Sequence, residues 1–223
     1  MPFVVSIQKV SKTYMLGQQQ VTALINVNLA VLKGEFLAIA GPSGSGKSTL
    51  LNLIGCIDNP TEGMIIIDQK DVSSQTPDQL ADLRSLKIGF IFQSFNLLPV
   101  LSAFENVEYP LHHFRISKEK RKERVMEYLE MVGIADFANH RPNQLSGGQR
   151  QRVAIARALI TQPVIVLADE PTANLDHKTG ESILQLMKEI NRINDTTFIF
   201  STHDPRVMEL AGRVVKIEDG RIM

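Results

Sequence analysis

The feature that most constrains the fold is a glycine-rich stretch that lies between an apolar run and a helical pattern. Its residues are Gly41, Pro42, Ser43, Gly44, Ser45, Gly46, Lys47 and Ser48. Phe36 to Ala40 has the pattern of a buried strand, and Lys47 to Ile57 that of a helix. Glycines let the backbone wrap closely around an anion, so N–H groups and the helix N-terminus can converge on phosphate oxygens. The sequence therefore predicts a phosphate-binding loop, and the alternative of a flexible glycine turn is disfavoured by these flanking elements.

Three side chains at the end of this loop have expected roles at a nucleotide. Lys47 is expected to lie along the β- and γ-phosphates as a fixed positive charge. The Ser48 hydroxyl is expected to ligate Mg²⁺. Thr49 is expected to stabilise the helix start or to contact the α-phosphate. The predicted ligands are therefore ATP and Mg²⁺.

Two acids and a histidine follow later strand patterns. The apolar run from Val164 to Leu167 leads to Asp169 and Glu170, which places Asp169 at the carboxyl end of a strand. Asp169 is expected to hold Mg²⁺ through a water molecule. If the strand continues, Glu170 points to the opposite side and acts as general base; the alternative is a solvated glutamate. His203 follows the strand pattern from Thr197 and is expected to reach the γ-phosphate, although such a histidine alone is usually structural.

The order of elements predicts an α/β chain with one insertion. Strand and helix patterns alternate at both ends of the chain, which indicates parallel βαβ units. Residues 94–159 are instead mostly helical in pattern, with a capping box at Ser102 and Glu105. We therefore expect a single domain over residues 1–223, with a core and β subdomain at about 1–93 and 160–223 and a helical subdomain at about 94–159.

The amino-acid composition limits the classes of function and the cellular compartments that are compatible with this chain. Lys plus Arg and Asp plus Glu each number 24, so no net charge attracts nucleic acid or anionic lipid. The one cysteine, Cys56, excludes an internal disulfide and is expected to be a buried apolar residue. No stretch approaches the roughly 18 apolar residues of a spanning helix. We expect a soluble, cytoplasmic protein.

A second anion-binding motif identifies a family. Leu145, Ser146, Gly147, Gly148 and Gln149 precede a helix pattern, so a hydroxyl, glycine N–H groups and the positive helix end converge on one point. Together with the phosphate loop and the two acids, this motif closely resembles the signature of ATP-binding-cassette (ABC) ATPases. The resemblance implies a P-loop NTPase core with an inserted helical subdomain and an N-terminal antiparallel β subdomain. It also implies that the signature binds the ATP of a second copy of the chain.

The resemblance extends over essentially the whole chain. It implies that Tyr14 stacks on adenine, that Gln93 is the switch-loop glutamine and a Mg²⁺ ligand, and that His203 is the switch histidine. It further implies that residues 174–176 contact the dimer partner. From the residues alone, Tyr14 is also compatible with a packed aromatic, and Asp176 with a helix N-cap.

The family implies a partner in the membrane. Residues 93–99 and 102–107 resemble the lipoprotein-release and macrolide-efflux group, which implies integral membrane permease subunits and a peripheral location on the inner face of the cell membrane. Four apolar residues after Gln93 are expected to line a groove for a partner helix or, equally, to pack in the core: Phe95, Leu97, Leu98 and Val100. The alternative function is a soluble ABC ATPase acting on nucleic acid or the ribosome. That class normally has a coiled-coil insertion, zinc cysteines or two cassettes, which this sequence lacks.

Overall fold

The computed structural model describes residues 3–223, which form ten strands and seven α-helices. The strands are β1 (Phe3–Leu16), β2 (Gln19–Leu32), β3 (Phe36–Ala40), β4 (Glu62–Ile67), β5 (Lys70–Asp71), β6 (Ile88–Ile91), β7 (Ile165–Asp169), β8 (Thr197–Thr202), β9 (Arg213–Glu218) and β10 (Arg221–Ile222). The helices are α1 (Lys47–Ile54), α2 (Pro77–Lys87), α3 (Ala103–Glu108), α4 (Lys118–Met131), α5 (Gly147–Leu159), α6 (His177–Asn194) and α7 (Pro205–Leu210).

A four-stranded antiparallel sheet with the order β2-β1-β4-β5 forms the first layer. Its two long strands each have 14 residues, although apolar and polar residues alternate regularly only over residues 4–10 and 22–30, a pattern that predicts shorter strands. The reason is a series of register shifts between these strands, close to Lys9 and Asn26, whose φ angles are 51° and 49°. Each shift breaks the two-residue period on which a prediction of strand length depends.

A six-stranded sheet with the order β10-β9-β3-β8-β7-β6 forms the core. Every neighbouring pair in it is parallel except β9 and β10. Because Ala40 pairs with Thr202, and Asp169 with Ser201, the carboxyl ends of β3, β8 and β7 lie side by side. The loops that follow these three strands therefore meet at one edge of the sheet, where ligands bind in parallel α/β folds. The predicted α/β class is confirmed.

Strand β3 shows how the sequence builds a core on both faces of this sheet. Phe36 and Ala38 belong to a cluster with residues of α4, α5 and α6, whereas Leu37 and Ile39 belong to a second cluster with α1 and the antiparallel sheet. Successive side chains of a strand point to opposite faces, so an uninterrupted apolar run is required here. All five residues of β3 are buried.

Only helical elements occupy the chain between β6 and β7. They are α3, α4, α5 and three short 3-10 turns. The capping box expected at Ser102 is present, since Ser102 and Glu105 exchange side-chain and backbone hydrogen bonds of 3.2 and 2.7 Å. None of the helices within residues 3–223 combines the length and apolar character needed to cross a membrane.

Helix α1 ends earlier than its apolar pattern predicts. Gly55 caps it, and Cys56 has a φ of 53°, a left-handed conformation that cannot continue the helix. Cys56 is buried, as expected, and burial raises the pKa of its thiol to about 11. The thiol is therefore protonated at neutral pH, and Cys56 packs in the core as a small apolar residue.

Candidate nucleotide-binding site

The glycine-rich loop joins β3 to α1. At several of its positions the backbone conformation or the close packing requires glycine. Gly44 and Gly46 have φ angles of 78° and 104°. A Cβ atom on Gly41 would lie 2.1 Å from the carbonyl oxygen of Ile217 in β9. The loop is also tied to the turn between β9 and β10, since the Gly220 N–H donates to the Ser45 carbonyl at 3.0 Å. The loop is thus a fixed cradle rather than a flexible turn.

Lys47 begins α1 and folds back into this cradle. Its ammonium group donates to the carbonyl oxygens of Gly41 and Pro42 at 2.8 and 2.7 Å, and its side chain is buried. Both acceptors belong to the loop itself, so the positive charge is held where the loop encloses a ligand. A buried ammonium without an anionic partner is costly, which favours an incoming phosphate.

Ser48 and Asp169 bring two oxygens together although they are far apart in sequence. The Ser48 hydroxyl donates to Asp169 Oδ1 at 3.4 Å, across the ends of α1 and β7. Hydroxyl and carboxylate oxygens are the donors that Mg²⁺ prefers. The part of the chain that the structure describes has no cluster of three or more His, Cys, Asp or Glu residues that could hold a metal. A divalent ion at this pair would therefore need further oxygen ligands, from phosphate, water or an amide side chain.

Glu170 and His203 form a pair beside the cradle. Oε1 of Glu170 lies 2.8 Å from Nδ1 of His203. The expectation that Glu170 continues the alternation of β7 is wrong, because the strand ends at Asp169 and Glu170 has a left-handed φ of 45°. Its N–H instead donates to the carbonyl of Ser201 at 2.9 Å, which ties the two strand ends together. The turn, rather than strand alternation, sets the direction of the Glu170 carboxylate.

A cavity of about 570 Å³, a volume typical of small-molecule sites, brings together most of the predicted phosphate loop with Glu170 and His203, but Gly41, Ser45 and Asp169 do not line it. It is lined by Ala23, Pro42, Ser43, Gly44, Gly46, Lys47, Ser48, Thr49, Glu170 and His203. Tyr14, Gln93 and Ser146 are not among the residues that line it. A larger cavity of about 650 Å³ lies where the core strands begin, and ion pairs of Lys33 with Asp195 and of Lys87 with Asp68 occupy its rim. It lacks a phosphate-binding loop.

Tyr14 is held next to the cradle by two residues that the sequence did not indicate. Its hydroxyl donates to Asp58 at 2.9 Å, and the Lys12 ammonium lies 2.6 Å from Asp58 and 4.9 Å from the centre of the Tyr14 ring. Burial and the Asp58 carboxylate raise the pKa of Tyr14. Burial also acts to raise the pKa of Asp58, but hydrogen bonds from Lys12, Tyr14 and the Asn59 N–H lower it overall. Asp58 is thus anionic and fixes the tyrosine ring.

The second motif forms the N-terminus of α5. Ser146 caps this helix, with its Oγ accepting from the Gln149 N–H at 3.3 Å and its own N–H donating to Gln149 Oε1 at 2.8 Å. Gly147 and Gly148 allow close packing here, since an added Cβ would lie 3.2 Å from Leu175 and 2.5 Å from Thr179. Ser146 is exposed. This predicted anion-binding helix end is therefore open to solvent and lies outside the lining of the cavity of its own chain.

Gln93 lies between the core and the helical segment. Its carbonyl accepts a hydrogen bond of 2.9 Å from the Asn174 side chain, which links it to the loop after β7. Asp176 of the same loop caps α6 by accepting from the Thr179 N–H at 3.0 Å, so the N-cap interpretation applies to it.

The apolar residues after Gln93 divide between the two roles expected for them. Phe95 is buried and Leu97 packs against the core. Leu98 and Val100 are 39% and 73% exposed. Phe95 and Leu97 therefore pack in the core, whereas Leu98 and Val100 form an exposed apolar surface.

The fold and the cradle define a nucleotide-binding α/β protein with a phosphate loop at the carboxyl edge of a parallel sheet. A profile of the family described as ABC transporter matches residues 24–173. The chain is 50% identical, over 98% of its length and 94% of the relative, to an uncharacterized ABC transporter ATP-binding protein of Methanocaldococcus jannaschii, MJ0796. It is 48% identical to the macrolide export ATP-binding/permease protein MacB of Syntrophobacter fumaroxidans, over 98% of this chain but 31% of that protein.

Solved structures agree with these sequence relatives. The chain superimposes on a dimeric post-hydrolysis state of MJ0796 bound to ADP and Pi with a TM-score of 0.90, 51% identity and coverage of 98% and 96% of the two chains. CbiO1 of Clostridium perfringens, part of the transporter complex CbiONQ, gives a TM-score of 0.89 at 28% identity, over 99% of this chain and 87% of that one. This chain belongs to the ABC transporter family, and it is an ATP-binding subunit of the group that includes MJ0796 and the MacB cassette.

Proposed function

We propose that the chain hydrolyses ATP at a site shared between two copies, with Mg²⁺ held by Ser48 and Asp169. The observation that carries the proposal is the cavity in which Lys47, Ser48, Glu170 and His203 meet. The dimeric MJ0796 structure bound to ADP and Pi supports hydrolysis and pairing in a protein of similar length and the same fold. When bound, the metal ion neutralises charge on the phosphate oxygens.

In this proposal the residues of the cavity divide the chemistry between them. Lys47 and the loop N–H groups hold the β- and γ-phosphates, while Glu170 orients a water molecule. The water oxygen attacks the γ-phosphorus, the bond to the β–γ bridging oxygen breaks, and ADP leaves. The proton of the water passes to a carboxylate oxygen of Glu170. His203, whose Nδ1 lies 2.8 Å from that carboxylate, steadies it, and Nε2 of the same ring is the atom left to contact the γ-phosphate.

The need for two copies follows from the placement of the signature. Ser146 and the glycines after it form an anion-binding helix end that does not line the cavity of its own chain. A helix N-terminus stabilises negative charge within about one turn, so it must meet its phosphate at close range. Head-to-tail pairing would bring Ser146 of one copy to the nucleotide that Lys47 of the other holds. Tyr14 would then stack on adenine, and Gln93 would join the Mg²⁺ ligands.

We expect purified chain to release phosphate from ATP only when Mg²⁺ is present. Excess chelator should reduce the rate to background, because the Ser48 and Asp169 oxygens act on phosphate through the ion. The rate per chain should rise with protein concentration, because the site is completed by a second copy. Phosphate release is measured with a colorimetric assay, and Mg²⁺ is restored as the control. A rate that is independent of Mg²⁺ would contradict the proposal.

The membrane partner is the second part of the proposed function. In this proposal the chain couples to permease subunits and lies at the inner face of the cell membrane. Residues 94–159 form a helical subdomain, and residues 1–93 and 160–223 form the core and the β subdomain. Support comes from MacB, whose name joins an ATP-binding part to a permease, and from CbiO1 in its transporter complex. Leu98 and Val100 supply exposed apolar surface next to Gln93 for such a contact. The net charge of zero gives no support to the nucleic-acid alternative.

Tagged chain isolated from native membranes is expected to carry an integral membrane protein with it. Replacing Leu98 and Val100 together by Asp should release that protein while ATP binding persists, because both side chains are exposed and lie outside the cavity. The recovered proteins are identified by mass spectrometry. Recovery of ribosomal proteins or nucleic acid instead would favour the alternative function.

A further inference from the structure

A partly buried hydrogen bond joins the loops that follow β7 and β8. Thr172, which is 3% exposed, donates from its hydroxyl to Asp204 Oδ2 at 3.0 Å. Thr172 lies two residues after Glu170, and Asp204 directly follows His203. The bond therefore connects the two backbone segments that carry the Glu170–His203 pair.

The Asp204 carboxylate is the centre of a larger network. It accepts hydrogen bonds from the backbone N–H and from the guanidinium of Arg206, at distances of 2.6 to 3.0 Å. The backbone N–H of Asp204 donates to Thr202 Oγ1 at 2.9 Å. Hydrogen bonds from Arg206 lower the pKa of Asp204, against the effect of burial, and Thr172 adds to the lowering. The carboxylate is thus anionic at neutral pH and accepts the hydrogen bonds from Arg206 and Thr172.

Arg206 extends this network to α6. Its guanidinium donates to the carbonyl of His177, the first residue of that helix, at 3.0 Å. It also lies against Gly180, where an added Cβ would be 3.2 Å from the guanidinium. Both ends of the loop from Thr172 to His177 are therefore fixed to the Asp204 side chain, one directly and one through Arg206.

The His203 ring itself has little support. Its side chain is 67% exposed, and within residues 3–223 the hydrogen bond to Glu170 is the one that its ring makes. Glu170 in turn lies in a left-handed turn at the end of β7. The position of each side chain therefore depends on how its backbone segment is held, and Thr172 with Asp204 holds both segments.

We propose that Thr172 and Asp204 are positioning residues that set the geometry of the Glu170–His203 pair for hydrolysis. This inference rests on the proposed ATPase function. Neither residue needs to contact the nucleotide for this role, since each acts through its neighbour in the chain. Misplacement of a catalytic group by about 1 Å can reduce turnover up to about 100-fold.

The matched variants Thr172→Val and Thr172→Ser test the proposal. Valine keeps the shape of threonine but lacks the hydroxyl, whereas serine keeps the hydroxyl and lacks the methyl group. We expect kcat for ATP to fall about 10-fold or more in Thr172→Val, with KM within about twofold of the wild type, and Thr172→Ser to retain most of kcat. Melting temperatures of all three proteins are measured alongside, so that the rate refers to folded protein.

A second variant keeps the test decisive if Thr172→Val does not fold. Asp204→Asn preserves size but removes the charge and one acceptor oxygen, so we expect the same fall in kcat at unchanged KM. Equal kcat in wild type, Thr172→Val and Asp204→Asn would overturn the positioning role, as would an equal loss in Thr172→Ser and Thr172→Val. In either case a wild type that hydrolyses ATP leaves the proposed function standing. A wild type without MgATP-dependent activity would overturn both.

Discussion

Replacing Glu170 by Gln is expected to lower ATP turnover by a factor of about 100 or more while leaving the nucleotide bound. Glutamine has the shape of glutamate and an oxygen that can still face His203, but it is not a base and cannot accept the proton of the attacking water. The phosphate cradle and the Ser48–Asp169 oxygen pair are untouched by this change. The variant should therefore accumulate in the ATP-bound, paired state.

Size-exclusion chromatography with MgATP measures this accumulation. The chain has a mass of 24.9 kDa, and Glu170→Gln should elute at twice that mass with MgATP but not with MgADP. Glu123→Gln, at an exposed position of α4, is the control and should behave as the wild type does. Undiminished turnover in Glu170→Gln would contradict the assignment of the general base.

The second large effect is expected from Lys47→Ala. Its ammonium is the buried charge of the cradle, and it also joins the Gly41 and Pro42 carbonyls. Losing it removes a charge-assisted contact to phosphate, so we expect nucleotide binding to weaken and turnover to fall by about 100-fold or more. Fluorescent nucleotide titration and phosphate release measure the two effects. Lys120→Ala, at an exposed position of α4, is the control. Wild-type turnover in Lys47→Ala would contradict a phosphate contact by this lysine.

The phosphate cradle could be predicted from the sequence because it is local. Residues 41–48 are contiguous, and the strand and helix on either side fix their conformation through patterns that are visible in the chain. The same holds for the cap formed by Ser146 and Gln149, which are three residues apart. In both cases the residues that act together are close in sequence, so a short sequence pattern is enough to predict the local structure.

Contacts between distant segments could not be predicted in this way. Lys12 and Asp58, which fix Tyr14, are 46 residues apart, and Thr172 and Asp204 are 32 apart. No periodic pattern relates such pairs, because their proximity depends on sheet order. The left-handed turn at Glu170 was missed for another reason: a glutamate after an apolar strand carries no signal for a positive φ. The length of the first two strands was underestimated because bulges interrupt their alternation.

The proposed head-to-tail pairing places Lys47 of one copy and Ser146 of the other at each nucleotide. It predicts that two inactive variants restore activity when they are mixed. Ser146→Asp suits this test, because aspartate caps a helix as well as serine does but places a negative charge against phosphate. A dimer of Lys47→Ala with Ser146→Asp has one site with both changes and one site with neither.

Phosphate release by an equimolar mixture of Lys47→Ala and Ser146→Asp is therefore the most direct test. If pairing is random and one intact site suffices, half of the dimers are mixed and half of their sites are intact. The mixture should then recover about a quarter of wild-type activity, while each variant alone stays near background. Activity that remains at background in the mixture, with both variants folded and able to pair, would contradict a head-to-tail site shared between two copies.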